Sequence, residues 1–337
     1  MIVSYFEQTE LDKRFYEEHI KERIPSHIID MHLHISKAEY LKNATPDPSD
    51  WSVQCNSRMG YEEWAEYAKV FYPDSRVEIN ALPAVTKGMD VIGNDGYIAQ
   101  LKKEGKARYA HMLTDPNWSR EFTEKMIIEG DFDGYKPYPD FVAGVRSVEI
   151  GLFDFVNKDQ FELLNKYKKT MVLHLPRAGR FPDDSNIREL LTAREKYPDM
   201  KIIIAHCGRS YAIDWIKRAK EKLGDARFGF YYDLAAVLNP AVLDYMLEYF
   251  PQDRIMYGTD LPIFLWHGRR RWTDTEYHNL CREDFAFNRH EEGPEIEANY
   301  TFFIYEQLKN ILDATYKFGG KALAEDIFAK NAEKLLG

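Results

Sequence analysis

The chain is poor in cysteine, with only three in its 337 residues. Cys55, Cys207 and Cys281 are odd in number and widely spaced, so the sequence predicts neither a disulfide framework nor a zinc cluster held by thiolates. Any bound metal would therefore depend on histidine and carboxylate ligands.

A concentrated positive face and a long apolar run are also missing. The net charge is −10 and the basic residues are scattered among acidic ones, which argues against nucleic-acid binding. No segment approaches the roughly 18 uninterrupted apolar residues of a membrane span, and residues 1–19 have no basic start followed by an apolar run. We therefore expect a cytoplasmic protein that binds neither nucleic acid nor membrane.

What the chain does contain is a series of short runs rich in β-branched, aliphatic and aromatic residues, with helical patterns between them. This order is typical of successive β/α units in a parallel sheet. The runs are residues 27–34, 76–84, 107–113, 134–138, 170–175, 201–206, 228–234 and 254–260. Eight parallel strands close a barrel, so we predict one α/β domain over residues 1–337, a (β/α)8 TIM barrel.

Two stretches exceed usual loop lengths, residues 35–62 after the first strand and residues 261–298 after the eighth. Loops that follow barrel strands line the catalytic face, so both are predicted to cover a substrate. Two C-terminal helices, 299–316 and 323–336, are expected to pack across the outside of the barrel. A helix over 185–197 is expected to be capped by Ser185 or Asn186.

Histidines of the first predicted strand form a His-x-His pair. Because side chains alternate along a strand, His32 and His34 should point the same way, into the barrel mouth. Such pairs are common by chance, and two packed or surface histidines are the alternative interpretation.

Three further predicted strands end on residues of the same chemical kind. His174, His206 and Asp260 fall at the carboxyl ends of strands five, six and eight. Catalytic groups in such barrels come from several strand ends, so this joint placement favours a metal site over a chance pairing.

Six segments of the sequence resemble the amidohydrolase superfamily. They are IIDMHLH, GYKPY, VLHLP, KIIIAHCG and IMYGTDLP, with IFAKNAEKLL near the end of the chain. Within it they are similar to the amidohydrolase-related group, which includes aminocarboxymuconate-semialdehyde decarboxylase-like enzymes and sugar lactonases. The resemblance covers nearly the whole chain. It implies that one divalent ion is bound by His32, His34, His174 and Asp260, with His206 beside it. Zinc suits these ligands and is the expected metal, with manganese, iron and nickel as alternatives.

The resemblance also implies a metal-dependent hydrolase of a small lactone or amide, because a bound cation lowers the pKa of its water from about 15.7 to near 7. Asp260 is expected to accept the proton of that water and pass it to the leaving group, while His206 stabilises the developing oxyanion.

The same ligands would serve a non-oxidative decarboxylase of a small hydroxycarboxylic acid, which is the alternative. The segment from Ala205 to Ser210 differs from what we expect of most decarboxylases and favours hydrolysis. A third hypothesis is a barrel that binds a metal or ligand without catalysis.

Substrate contacts are predicted from residues near the strand ends. Lys136 and Tyr138 end strand four, where two-metal relatives carry a carboxylated lysine, so a second ion is the alternative to a free Lys136 that contacts substrate. Arg177 and Arg209 follow strands five and six and would suit an acidic or polyhydroxylated small molecule. Surface charge is their alternative interpretation. Relatives are often dimers, so a homodimer is also considered.

Overall fold

The computed structural model describes residues 2–45, 54–55, 58–142, 149–288 and 290–337. Eight parallel strands form one sheet in which each strand is hydrogen-bonded to the next along the chain. They are β1 (His27–Ile35), β2 (Arg76–Pro83), β3 (Tyr109–Met112), β4 (Gly134–Tyr135), β5 (Thr170–Leu173), β6 (Lys201–Ile204), β7 (Tyr231–Asp233) and β8 (Ile255–Met256). Seven of the predicted runs contain one of these strands, and β1 extends one residue beyond its run, to Ile35.

Backbone hydrogen bonds between the first strand and the segment that includes β8 close the sheet. The N–H of Met31 donates to the carbonyl of Tyr257 at 3.0 Å, and the N–H of Asp260 donates to the carbonyl of His32 at 2.8 Å. The predicted (β/α)8 TIM barrel is thereby confirmed. The same hydrogen bonds place Asp260 next to His32, although the two residues are far apart in the chain.

Helices separate the strands and continue after the barrel. They are α1 (Glu10–His19), α2 (Tyr61–Phe71), α3 (Val91–Lys103), α4 (Arg120–Glu129), α5 (Leu152–Phe155), α6 (Lys158–Lys166), α7 (Asp184–Lys196), α8 (Ile213–Leu223), α9 (Pro240–Tyr249), α10 (Pro294–Glu297), α11 (Phe303–Phe318), α12 (Gly320–Glu325) and α13 (Asn331–Leu336), with a π-helical turn at Asp326–Lys330 between the last two. Among the described residues, no helix is both long and apolar enough to cross a membrane.

Helix α7 confirms the predicted helix but not its cap. The side chain of Asp183 accepts hydrogen bonds from the backbone N–H groups of Ser185 and Asn186 at 2.9 and 3.1 Å. The predicted caps Ser185 and Asn186 therefore lie inside the first turn. Asp183 caps instead because its carboxylate reaches two otherwise unpaired N–H groups at once.

The two C-terminal helical regions take different places. Helix α11 packs against α9 on the outside of the barrel, as predicted. The final segment instead meets the starts of two strands, since Tyr109 donates to the carbonyl of Gly337 at 3.4 Å and Lys201 donates to that of Leu335 at 3.2 Å. It therefore covers the amino-terminal end of the barrel and leaves the carboxyl end to the functional groups.

The long connection after β8 is more structured than the sequence analysis expected. It contains an antiparallel hairpin of β9 (Gly268–Trp272) and β10 (Tyr277–Cys281), followed by α10. The connection after β1 contains a 3-10 turn at Ala38–Leu41. Much of the lid predicted over residues 35–62 lies outside the described residues, namely 46–53 and 56–57.

Candidate metal centre

Three of the predicted ligands meet at the carboxyl end of the barrel. The ring centroids of His32 and His34 are 5.2 Å apart. Nε2 of His32 lies 3.5 Å from Oδ1 of Asp260, and Nε2 of His34 lies 3.6 Å from the same oxygen. One donor atom from each residue falls within 4.8 Å of the other two, so these side chains can share one ion.

The other nitrogen of each imidazole is held by the protein. Nδ1 of His34 donates to the carbonyl of Pro83 at 2.6 Å, and Nδ1 of His32 bonds to Oδ2 of Asp233 at 2.9 Å. Nε2 of each neutral ring is then left with a lone pair. Nε2 of His32 is buried and has no hydrogen-bond partner among the described residues. Metal-bound histidines use their second nitrogen in this way, so the donor set fits a divalent cation.

The electrostatics of the three residues agree with that fit. Burial lowers the pKa of His32 well below its usual value and that of His34 to about 3, which keeps both imidazoles neutral. Burial raises the pKa of Asp260, and the charge of Lys136 opposes this rise only in part. A divalent cation would supply the positive charge that a buried carboxylate needs to remain ionised.

Asp233, at the end of β7, belongs to the site and was missed in the sequence analysis. Its Oδ2 bonds to His32, while its Oδ1 accepts hydrogen bonds from the backbone N–H groups of His206 at 2.8 Å and Ala235 at 3.1 Å. One fully buried carboxylate thus orients two histidines. The signal was present in the sequence, since Asp233 is a lone charge at the end of the apolar run over residues 228–234.

His206 begins a tight turn directly after β6. Its φ is +55°, and Cys207, Gly208 and Arg209 also have positive φ values of +48°, +70° and +62°. This left-handed backbone costs about 1–2 kcal/mol for each non-glycine residue. The turn is held by the bond from Asp233 to the N–H of His206 and by a 3.1 Å bond from Nδ1 of His206 to the carbonyl of Ala235. The ring of His206 is thereby fixed 4.6 Å from that of His32, centroid to centroid.

His174 lies beside these residues but is less closely grouped. Its ring centroid is 5.5 Å from that of His206 and 5.0 Å from that of Tyr138. Within the described chain it belongs to neither compact group of donor atoms, which are His32, His34 and Asp260 in one and His32, His206 and Asp233 in the other. Burial, followed by the charge of Arg209, lowers the pKa of His174 and keeps it neutral. Its role as a ligand stays a prediction.

Lys136 and Tyr138 also reach the site. Lys136 is fully buried, and its Nζ has no hydrogen-bond partner among the described residues and lies 5.7 Å from the ring centroid of Tyr138. Burial lowers the pKa of Lys136, while the charges of Asp260 and Asp233 raise it. The charge of Lys136 therefore interacts with Asp260, the carboxylate that the candidate metal would also contact.

The two predicted substrate arginines are both engaged elsewhere. Arg177 forms a double hydrogen bond with Glu189 of α7, with Nη2–Oε1 and Nη1–Oε2 distances of 2.8 and 3.0 Å. Its guanidinium charge is therefore already paired, and a substrate role for Arg177 stays a prediction. Nη1 of Arg209 donates to the carbonyls of Leu175 and Arg177 at 3.2 Å each. Arg209 therefore braces the loop after β5, close to His174.

Neutral imidazoles and a carboxylate, gathered at the carboxyl end of an eight-stranded parallel barrel, define the class of metal-dependent barrel enzymes. The chain belongs to the Amidohydrolase family, whose model matches residues 29–337, and members of this family depend on a metal. The resemblance stated from the sequence motifs is confirmed.

Solved structures share the fold at low sequence identity. An amidohydrolase II has a TM-score of 0.60 and 14% identity, covering 92% of this chain and 99% of that one. The 4-oxalomesaconate hydratase of Rhodopseudomonas palustris has a TM-score of 0.56 and 13% identity, with coverages of 92% and 95%. The 5-carboxyvanillate decarboxylase of Novosphingobium aromaticivorans, solved with manganese and 3-methoxy-4-hydroxy-5-nitrobenzoic acid, has a TM-score of 0.55 and 13% identity, with coverages of 92% and 96%. No curated protein matches the sequence.

Proposed function

We propose that the protein is a metal-dependent hydrolase of a small organic substrate, such as a lactone or an amide. One divalent ion, with zinc as the first choice, would be held by His32, His34, His174 and Asp260. The observation that carries this proposal is the orphaned Nε2 of His32, which lies 3.5 Å from Asp260 while its Nδ1 is fixed by Asp233. Manganese, iron and nickel are the alternative metals.

A bound divalent cation would lower the pKa of a coordinated water and polarise the carbonyl oxygen under attack. Asp260 would accept the proton of the attacking water and return it to the leaving group. The bound cation would keep this buried carboxylate ionised, as proton acceptance requires.

His206 has a more restricted role than the sequence indicated. The carbonyl of Ala235 fixes a proton on Nδ1, at 3.1 Å, so neutral His206 offers only a lone pair at Nε2. It can donate to a developing oxyanion from Nε2 only as the cationic ring. Asp233 and Asp260 carry the negative charge that would favour that form during the reaction.

The second candidate is decarboxylation of a small hydroxycarboxylic acid. It is favoured by Arg180 and Arg270, which lie against Tyr211, a neighbour of His206. Neither arginine forms an ion pair within the described chain, and such groups suit an acidic substrate. The solved 5-carboxyvanillate decarboxylase shares the fold of this chain, which is compatible with either reaction.

The two candidates separate in one assay. Metal-loaded protein is incubated with a panel of lactones, amides and hydroxybenzoates, and both hydrolysis products and released carbon dioxide are measured. We expect hydrolysis that a chelator abolishes and added metal restores, and that falls at least about 100-fold in His206→Asn. His278→Asn is the matched control, because His278 is exposed on β10. Carbon dioxide release would select the second candidate, and activity that survives chelation would contradict both.

A further inference from the structure

Three consecutive arginines on β9 differ sharply in their surroundings. Arg269 and Arg271 are exposed and pair with Glu292 and Glu291. Arg270, between them, points to the opposite face of the strand and is 5% exposed. Because side chains alternate between the two faces of a strand, only one of the three arginines points into the protein.

The groups in direct contact with the guanidinium of Arg270 are neutral. Nη1 donates to the carbonyl of Ala236 at 2.5 Å, and Nε donates to Oδ1 of Asn279 at 2.9 Å. Cζ lies 4.7 Å from the ring centroids of both Tyr211 and Tyr277. Arg270 forms no ion pair with any carboxylate of the described residues. A buried charge without a counter-charge is costly.

Arg180, in the loop after β5, contacts the same two tyrosines. Its Cζ lies 5.6 Å from the ring centroid of Tyr211, 5.3 Å from that of Tyr277 and 4.0 Å from that of Trp215. It too forms no ion pair within the described part of the chain. Burial lowers the pKa of Arg270, whereas Tyr277 and Tyr211 oppose this, and the charge of Arg180 lowers the pKa while that of Asp260 raises it. Two like charges thus lie against one pair of tyrosine rings, Tyr211 and Tyr277, which contact each other edge to face with centroids 4.9 Å apart.

This tyrosine pair adjoins the candidate metal centre. The ring centroid of Tyr211 is 6.4 Å from that of His206. The carbonyl of Ala235 holds Nδ1 of His206, and the next carbonyl along the chain, that of Ala236, holds Arg270. The guanidinium group of Arg270 and the ring of His206 are therefore held by consecutive carbonyls, which places Arg270 beside the candidate metal centre.

We propose that Arg270 and Arg180 recognise a carboxylate on the substrate, distinct from the group that reacts at the metal centre. The inference rests on the proposed function, because it assumes a small substrate at that centre. A planar carboxylate can accept paired hydrogen bonds from a guanidinium fork and lie against aromatic faces. It would supply the direct ion pair that no carboxylate of the described residues forms with either arginine.

Equilibrium binding tests this without turnover. Linear hydroxamic acids, whose hydroxamate group binds the metal, carry either a carboxylate or a carboxamide at the far end and are titrated into metal-loaded protein by calorimetry. We expect the best carboxylate probe to bind at least about tenfold more tightly than its carboxamide, as for a charge-assisted hydrogen bond. Arg270→Gln should reduce this ratio to near one. Arg271→Gln, the exposed neighbour, should behave as wild type.

Several results would overturn the proposal: no preference for the acid in wild type, no binding of any probe at millimolar concentration, equal loss in Arg271→Gln, or equal weakening of acid and amide in Arg270→Gln. Tighter, Arg270-dependent binding of 3-phosphonopropionate would overturn the choice of carboxylate over phosphate. If Arg270→Gln fails to fold, Arg180→Gln gives the same test, because its guanidinium has one backbone contact, the carbonyl of Arg209 at 3.3 Å. If the protein prefers the acid as expected but shows no metal-dependent hydrolysis, the proposed function is refuted and the proposed carboxylate recognition is not.

Discussion

The carboxylate of Asp233 accepts a hydrogen bond from Nδ1 of His32 at 2.9 Å, and both side chains are fully buried. This pair fixes which nitrogen of His32 carries the proton, and so leaves Nε2 directed at Asp260. Because the other oxygen of Asp233 holds the backbone of His206, one residue of β7 sets the geometry of both histidines.

Replacement of Asp233 should therefore weaken metal binding without removing a direct ligand. We expect Asp233→Asn to lower metal affinity about 10- to 100-fold, the usual effect of losing a partner of a metal-bound histidine. Competition with a chromogenic chelator measures the affinity. Asp253→Asn is the control, since Asp253 forms an exposed pair with Lys334. Equal affinities in wild type and Asp233→Asn would show that His32 is oriented by other means.

His174 offers a test of the fourth ligand. If it moves to join the ion held by His32, His34 and Asp260, His174→Ala should lower metal affinity by at least about tenfold, because a lost ligand should cost no less than a lost partner of one. The variant should keep its thermal stability in the metal-free form. An unchanged affinity would leave three protein ligands and make His174 a substrate contact.

Gly134 is required where β4 passes β5. A Cβ built on Gly134 would overlap the carbonyl oxygen of Thr170, whereas one built on Gly96, inside α3, meets nothing within 4 Å. We expect Gly134→Ala to lower the melting temperature sharply, because backbone atoms must move apart. Gly96→Ala should stabilise the fold by about 0.5–1 kcal/mol, since alanine favours a helix interior. Scanning calorimetry of both variants measures these changes. An unchanged melting temperature in Gly134→Ala would contradict the close contact between β4 and β5.

The environment of His267, which lies away from the candidate metal centre, predicts that the stability of the fold depends on pH. Its ring is buried, with Nε2 3.0 Å from Asp12 and Nδ1 3.0 Å from Glu283. Burial opposes the charged ring, but these two hydrogen bonds outweigh it and raise the pKa of His267 above its usual 6.5. Bonds from His267 and Thr9 likewise outweigh burial and lower the pKa of Asp12 below 3.8.

The raised pKa of His267 gives stability that is full below about pH 6.5 and is lost as the pH rises through the folded value. The lowered pKa of Asp12 gives stability that is lost only in acid, below about pH 4. Asp12→Asn should therefore destabilise by about 3 kcal/mol near pH 5.5, with a smaller effect at pH 8.5. Melting temperatures across this range measure it against Glu10→Gln, an exposed change on the same helix. If the difference in melting temperature between Asp12→Asn and wild type does not vary with pH, His267 and Asp12 do not form a charged pair.

The fold was predictable because a parallel barrel buries both faces of its strands, so each strand appears as a short apolar run. Strand ends then placed His32, His34, His206 and Asp260 without further information. The β9–β10 hairpin was not found, because its arginine-rich strand has little apolar character and its pairing depends on distant packing. The same hairpin hid Arg270, which looks identical to its exposed neighbours in sequence.

Charged partners were the least predictable part of the site. Asp233 was overlooked because a single aspartate at a strand end carries no motif. Arg177 was predicted to contact substrate because it follows β5. In the structure both of its Nη atoms donate hydrogen bonds to Glu189, which lies on the next long helix, α7. Ion pairs between elements depend on how helices rotate against the barrel, and sequence spacing does not contain that information.

Metal content per chain tests the central claim most directly. Protein purified without chelator from metal-supplemented medium is analysed by elemental mass spectrometry, for wild type, His34→Ala and the exposed control His278→Ala. The account predicts close to one divalent ion per chain in wild type and in His278→Ala, and a large loss in His34→Ala with the fold retained. Two ions would bring Lys136 into the centre, whereas wild type without metal, or His34→Ala as fully loaded as wild type, would contradict the account.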